Sequence, residues 1–210
     1  MLIDFYTPKN KILQKYIEGY YFIAENEKSD EIRYWTFPNN YSILTVSQNT
    51  HISQNGNVFK ISKSSEKNIT VDLVLSYRYP LEIIYEKPLN EITIYFKPLG
   101  LNHFVENLQE DFKKSNISGY QLFADFNENM EQIFKLKNRD EQIELVENYW
   151  LSKLLDNDLS LMEQILNDVE NDLKIDEIAT KYNFSRQYIN KLFLKNIGKS
   201  PSEYRKIFRF

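Results

Sequence analysis

Between Tyr20 and Pro98 the apolar positions fall into short runs rich in β-branched and aromatic residues: YYFIA, RYWTF, YSILTV, NVFKIS, ITVDLVLS, LEIIYE and EITIYFK. Turn material such as PNN, SQNGN and KPLN separates them at intervals of roughly ten residues, the spacing of an antiparallel barrel or sandwich. Ahead of them Ile12, Leu13, Tyr16 and Ile17, following Pro8, predict a helical element. After Gly100 the period changes from two to that of a helix. Leu101, Phe104, Val105, Leu108 and Phe112 form one helical stripe, Ile143, Val146, Tyr149, Trp150 and Leu154 a second, and Met162, Ile165, Leu166 and Val169 a third. Acidic residues lie between these apolar positions, as on the solvated face of a helix. Strands first and helices afterwards give an α+β chain: an N-terminal antiparallel β-barrel or sandwich-like domain with following helices, then a C-terminal all-α subdomain. The polar break Asp156-Asn157-Asp158 places the boundary, with domains at 1–155 and 156–210.

The stretch IDEIATKYNFSRQYINKLFLK, from Ile175 to Lys195, has the residues that two short helices meeting at a steep angle require. Ile178, Tyr182, Phe184, Ile189 and Leu192 fall where the two helices bury apolar side chains against each other, and Ala179 is the small residue at closest approach. Asn183 fits the left-handed position between the helices, and Ser185 is a natural N-cap for the second one. That second helix, Arg186 to about Asn196, carries Arg186, Gln187, Asn190 and Lys191 on the face opposite Ile189, Leu192 and Phe193. Arg reads guanine, Asn and Gln read adenine, and Ser185, Lys191, Lys195 and Lys199 are placed to hold phosphate. A helix of this length spans roughly 16 Å, enough to lie in a major groove. The first helix starts after Lys174, a poor cap, although Asp176 and Glu177 suit the positive end of its dipole.

Charge changes this picture in one respect. The whole chain of 210 residues carries a net charge of -4 and a pI near 5.4, unusual for a nucleic-acid binder. Yet residues 1–105 are neutral, residues 106–173 carry -10 and residues 174–210 carry +6, so the motif lies in its own basic segment. Forty-two per cent hydrophobic residues supply a core, and the chain contains no cysteine, which excludes disulfides and thiolate chemistry. With no signal-peptide pattern at MLIDFYTPKNK and no long uncharged apolar window, the expectation is a cytoplasmic protein without membrane contact.

The continuation NIGKSPSEYRKIFRF completes a resemblance to the first helix-turn-helix of the AraC/XylS family of bacterial transcription regulators, carried by Gly198, Ser200-Pro201 and Arg209-Phe210. Gly198 is placed to end the second helix, Ser200 to cap the next with Glu203 in capping-box spacing, and Pro201 to occupy its first turn. Farther forward, PKNKILQKYIEGYYFIAE, FPNNYSILTV and EITIYFKPLGLNHFVENL resemble the sensor domain of one AraC-like subgroup, with its F-x-P-x-G element at Phe96, Pro98 and Gly100. The resemblance implies a sensor domain for a small effector, a helical segment used for homodimerisation, and double-stranded DNA as partner. It also implies two helix-turn-helix units joined by a long helix. Here the chain stops at Phe210, and Tyr204, Ile207, Phe208 and Phe210 leave an apolar stripe uncovered. The expectation is a fragment or truncated product that alone binds DNA weakly.

Enzyme chemistry finds little support. His51 and His103 are separated by 51 intervening residues, each expected as a surface or cap residue, so no metal or other cofactor is expected; five glycines leave little room for a phosphate loop. Tyr20, Phe22, Trp35, Phe37, Tyr41, Tyr77, Tyr85 and Tyr95 are candidates to line an effector pocket, though aromatics are more often core, and Arg33 and Arg78 are candidates to pair an effector carboxylate. The competing reading is an effector-binding or protein-interaction module whose incomplete helix-turn-helix does not bind DNA specifically.

Overall fold

The computed structural model describes residues 4–25, 30–75, 77–114 and 116–209. Among the described residues ten strands form two sheets. In chain order they are β1 (Asp4–Tyr6), β2 (Ile17–Ile23), β3 (Ile32–Thr36), β4 (Ser42–Gln48), β5 (Thr50–Asn55), β6 (Val58–Lys63), β7 (Ile69–Val74), β8 (Leu81–Tyr85), β9 (Glu91–Phe96) and β10 (Asn116–Ser118). The first sheet runs β1-β2-β9-β4-β7-β10 with every pair antiparallel; the second runs β3-β8-β6-β5. Two separate sheets are the sandwich alternative of the expected barrel or sandwich. The second sheet departs from the antiparallel expectation, because β6 pairs β8 in parallel.

The six-stranded sheet is apolar on the face turned to the helices. Tyr20, Phe22, Leu44, Val46, Val71, Leu73, Ile92, Ile94 and Phe96 pack there against α2 (Phe126–Lys135) and α3 (Arg139–Ser152). Trp150 of α3 is the hub, edge-on to Phe96 at 4.8 Å and to Phe104 at 5.2 Å. The opposite face turns to the second sheet, where Tyr21 and Ile23 meet Ile61 and Tyr85, and Val74 meets Phe59 and Leu81.

Three sequence expectations are corrected. The helix around Ile12 is only α1 (Leu13–Tyr16), because Ile17 already opens β2. The stripe from Leu101 to Phe112 is not a helix but a wound segment with short 3-10 turns at Gly100–His103 and Asp111–Lys113. Leu101, Phe104, Leu108 and Phe112 are buried all the same, and Asn107 with φ 58° interrupts the winding. His103 is neither a surface nor a cap residue: it is buried, stacked on Tyr16 at 4.1 Å, with Nε2 3.1 Å from Glu163. Of the effector-lining candidates, Tyr20, Phe22, Tyr77 and Tyr85 are buried whereas Trp35 and Phe37 are exposed. Arg33 pairs Glu82 on the outer face of its sheet.

The third stripe is helix α4 (Ser160–Glu170), followed by α5 (Ile175–Lys181), α6 (Arg186–Asn196) and α7 (Pro201–Phe208). Their core gathers Met162, Ile165, Leu166, Val169, Ile178, Ile189, Phe193 and Tyr204. Leu99, from the corner after β9, joins it. That corner has little freedom: a Cβ on Gly100 would lie 2.1 Å from the Tyr16 carbonyl, and Leu99 itself adopts φ 65°. Phe210 lies outside the described residues. Among the described residues no helix is long and apolar enough to cross a membrane.

Candidate nucleic-acid interface

Helix α5 begins without a side-chain cap from Lys174, and Glu177 compensates by taking the Lys174 N–H at 2.8 Å. Asp168 of α4 accepts from both Lys181 Nζ (2.8 Å) and Tyr182 Oη (2.9 Å), which fixes the angle of α5 against α4. The turn between α5 and α6 has Asn183 at φ 56°, the left-handed conformation that an asparagine adopts at small cost. Phe184 N–H then donates to the Ala179 carbonyl at 2.8 Å, and Ser185 Oγ accepts from Tyr188 N–H at 3.1 Å, starting α6. Ile178, Ala179 and Ile189 are buried between the helices, with Phe184 and Leu192 packed at the edge.

Helix α6 ends at Gly198, with φ 74°, and α7 follows at once. Ser200 Oγ accepts from Glu203 N–H at 3.2 Å while the Glu203 carboxylate takes the Ser200 N–H at 2.9 Å, a reciprocal cap with Pro201 in the first turn. These bonds hold the Glu203 carboxyl below the ordinary carboxylate range. Ser200→Ala is expected to lower stability by about 0.5–2 kcal/mol, read from urea denaturation; an unchanged midpoint would show that the cap contributes nothing.

The exposed side of α6 is the surface the module can offer to a duplex. Ile189 and Phe193 point inward, so a turn of 100° per residue sets Gln187, Lys191 and Leu194 opposite them, with Asn190 and Arg186 on one flank and Tyr188 and Lys195 on the other. Gln187, Asn190, Lys191 and Lys195 are all exposed. Arg186 leans back and forms an ion pair with Asp176 of α5, with both side chains largely in solvent. Tyr188 and Leu194 also lie open on this face, and the sequence reading assigned them nothing. The signal was there in their spacing from Ile189.

One assignment is corrected. Lys199 does not face outward to phosphate: it is 4 % exposed, and its Nζ donates to the Asn39 carbonyl at 3.1 Å. Burial pulls its pKa down to about 8. Lys199 thus belongs to a seam between the helical module and the strand region. Asn40 Nδ2 donates to the Tyr204 carbonyl at 3.0 Å, Arg78 approaches Glu203 at 3.4 Å, and Gly198 packs on Phe112. Along the seam runs a cleft of about 980 Å³ bordered by Tyr41, Tyr77, Lys97, Lys206 and Phe208. A second cleft, about 720 Å³, separates Lys191, Leu194 and Lys195 from Tyr79, Gln109 and Lys113.

A capped, basic, solvent-facing helix joined to a second helix through a left-handed asparagine is the arrangement of a helix-turn-helix. Residues 166–206 match the family model of bacterial regulatory helix-turn-helix proteins, AraC family. A search of curated proteins found no match. Among solved structures, ToxT from Vibrio cholerae O395, crystallised bound to (E)-4-(8-methylnaphthalen-1-yl)but-3-enoic acid, is 12% identical. The likeness covers 89% of this chain and 94% of that one with a TM-score of 0.24, too low to bear on the architecture.

Proposed function

We propose that the chain is a cytoplasmic transcription regulator in which residues 156–210 bind double-stranded DNA and residues 1–155 sense a small effector and form a homodimer. What carries this reading is α6 itself: a polar and basic outward face held on a fully buried apolar one, in the only segment of the chain with a strong positive charge. In the major groove Gln187 and Asn190 face base edges, and Arg186 joins them by exchanging Asp176 for guanine. That exchange is cheap, because a solvent-exposed ion pair is worth little. Ser185, Lys191 and Lys195 take phosphates. Lys199, buried in the seam against the Asn39 carbonyl, takes no part in these contacts.

Arg186→Ala is expected to relax base preference by about 1–3 kcal/mol at one position, whereas Lys195→Ala weakens all sequences alike and lowers the salt slope by about 0.9. Fluorescence anisotropy with a panel of duplexes at several salt concentrations separates the two. A salt-independent affinity would instead favour the interaction-module reading, in which α6 touches a protein and no DNA.

A further inference from the structure

The face of the six-stranded sheet that turns toward the second sheet is not built like an ordinary core. Its central row runs Tyr21, Thr93, Thr45, Asp72 and Ser118, each directly opposite the next across β2, β9, β4, β7 and β10. Thr45 and Thr93 hydroxyls lie 3.1 Å apart. One row further, Glu91 is buried and accepts from Tyr85 Oη (2.8 Å), Thr93 Oγ1 (3.1 Å) and Ser47 Oγ (3.2 Å). All of its donors are neutral. Asp72 has only the Ser118 hydroxyl opposite it to favour its charged form: it is 9 % exposed, and neither carboxylate oxygen has a partner within hydrogen-bond distance. Among the described residues no ion pair reaches Asp72 or Glu91, and Lys63, on the facing sheet, is engaged by Glu25 at 2.7 Å.

The row is not sealed from solvent. Tyr21, Tyr34, Thr45, Ile52, Ile83 and Tyr95 stand at or near mid-strand on the two facing surfaces, where a closed sandwich would bury them fully, yet each stays partly exposed. A buried carboxylate without a partner is costly, and a row of hydroxyls ending on one is the donor and acceptor pattern that a cationic guest completes. Tyr21, Tyr34, Tyr85 and Tyr95 add aromatic faces, with Tyr34 and Tyr85 stacked at 6.3 Å. Two carboxylates in one space repel an anion. A metal ion is disfavoured because, among the described residues, no three metal-ligating side chains gather.

We propose that the space between the two sheets binds a small organic cation, an aliphatic primary ammonium whose charge is matched by Asp72 and Glu91 and whose chain lies against the tyrosine rings. The proposal rests on the reading of residues 1–155 as an effector-sensing unit and names the chemical class of that effector.

Isothermal titration of the full chain with n-butylammonium chloride tests it, with n-butanol and sodium butyrate as neutral and anionic controls. The expected result is saturable binding of butylammonium, at least about tenfold weaker binding of both controls, and a loss of about tenfold or more in Asp72→Asn. Asp72→Asn keeps the side-chain shape, and circular dichroism checks its fold. A second measurement needs no variant. Burial lifts the Asp72 carboxyl to about 6; Glu91, which feels the Asp72 charge, and the tyrosines grouped around Glu91, Tyr21, Tyr34, Tyr85 and Tyr95, are shifted upward as well. Butylammonium stays protonated throughout, so its affinity falls as pH drops from 7.5 to 5. Equal binding of butanol or butyrate, indifference to Asp72→Asn in a folded protein, or a flat pH profile each overturns the proposal. Anisotropy with duplex DNA is run on the same preparation. DNA binding with a steep salt slope but no ammonium binding sinks the cation alone, whereas ammonium binding without DNA binding sinks the regulator reading alone.

Discussion

Phe193→Ala is expected to remove about 3–5 kcal/mol from the helical module and to abolish DNA binding, while the sheets remain folded. Phe193 is completely buried at the centre of the module, where it meets Tyr204 edge-on at 6.0 Å and shares its cluster with Ile178, Ile189 and Val169. The helices around it are tied by bonds to Asp168 and by Arg205 donating to the Val169 carbonyl, which limits how far they can close on the hole. Denaturation followed by hydrogen exchange localises the effect. Loss confined to residues 160–209 supports the module as a separately cooperating unit; a uniform loss across the sheets would contradict it.

Gly198→Ala has an expected cost of about 2–5 kcal/mol, and its origin is different. The glycine holds φ 74°, which disfavours any side chain, and an added Cβ would stand 2.7 Å from Cβ of Phe112. Phe112 is itself rooted in the core of the strand region, so it cannot swing clear. Relief comes from parting the seam: Lys199 leaves the Asn39 carbonyl and Asn40 leaves Tyr204. Limited proteolysis should therefore cut the Gly198 variant between α6 and α7 faster than the parent, with α6 itself still protected. Equal cleavage rates would mean that the packing at Gly198 does not hold the seam.

The sequence made the helix-turn-helix legible nearly to the residue. Asn183, Ser185, Gly198 and Ser200 act through their own backbone and nearest neighbours, so their roles follow from local chemistry. The same holds for the stripes that became α3 and α4. What escaped was decided by distant partners. β5 carries a single large apolar residue, Ile52, and exists because β6 pairs it register by register. β1 and β10 are three-residue edges with no pattern to find. The stripe from Leu101 to Phe112 buries its apolar residues as a helix would, without being one, since burial and winding share a period only by coincidence there. Lys199 looked like any lysine after a recognition helix, and only the loop containing Asn39, some 160 residues earlier, turns it inward. Helix α2 is only weakly marked in the sequence, since Phe126, Met130 and Ile133 are the three positions of its ten residues that it buries.

The parallel pairing of β6 with β8 has a consequence for how the protein comes to be folded. Between those two strands the chain leaves one sheet, lays β7 into the other and comes back, and over β2 to β9 it changes sheet six times. Neither sheet is a contiguous stretch of chain, so neither can be completed before the other. Assembly depends on closing many long loops at once, and a nascent chain released before β9 has its central strand missing from the larger sheet. Folding of residues 4–118 is therefore expected as one slow, all-or-none event, with the helices that follow forming quickly and waiting for a surface on which to dock.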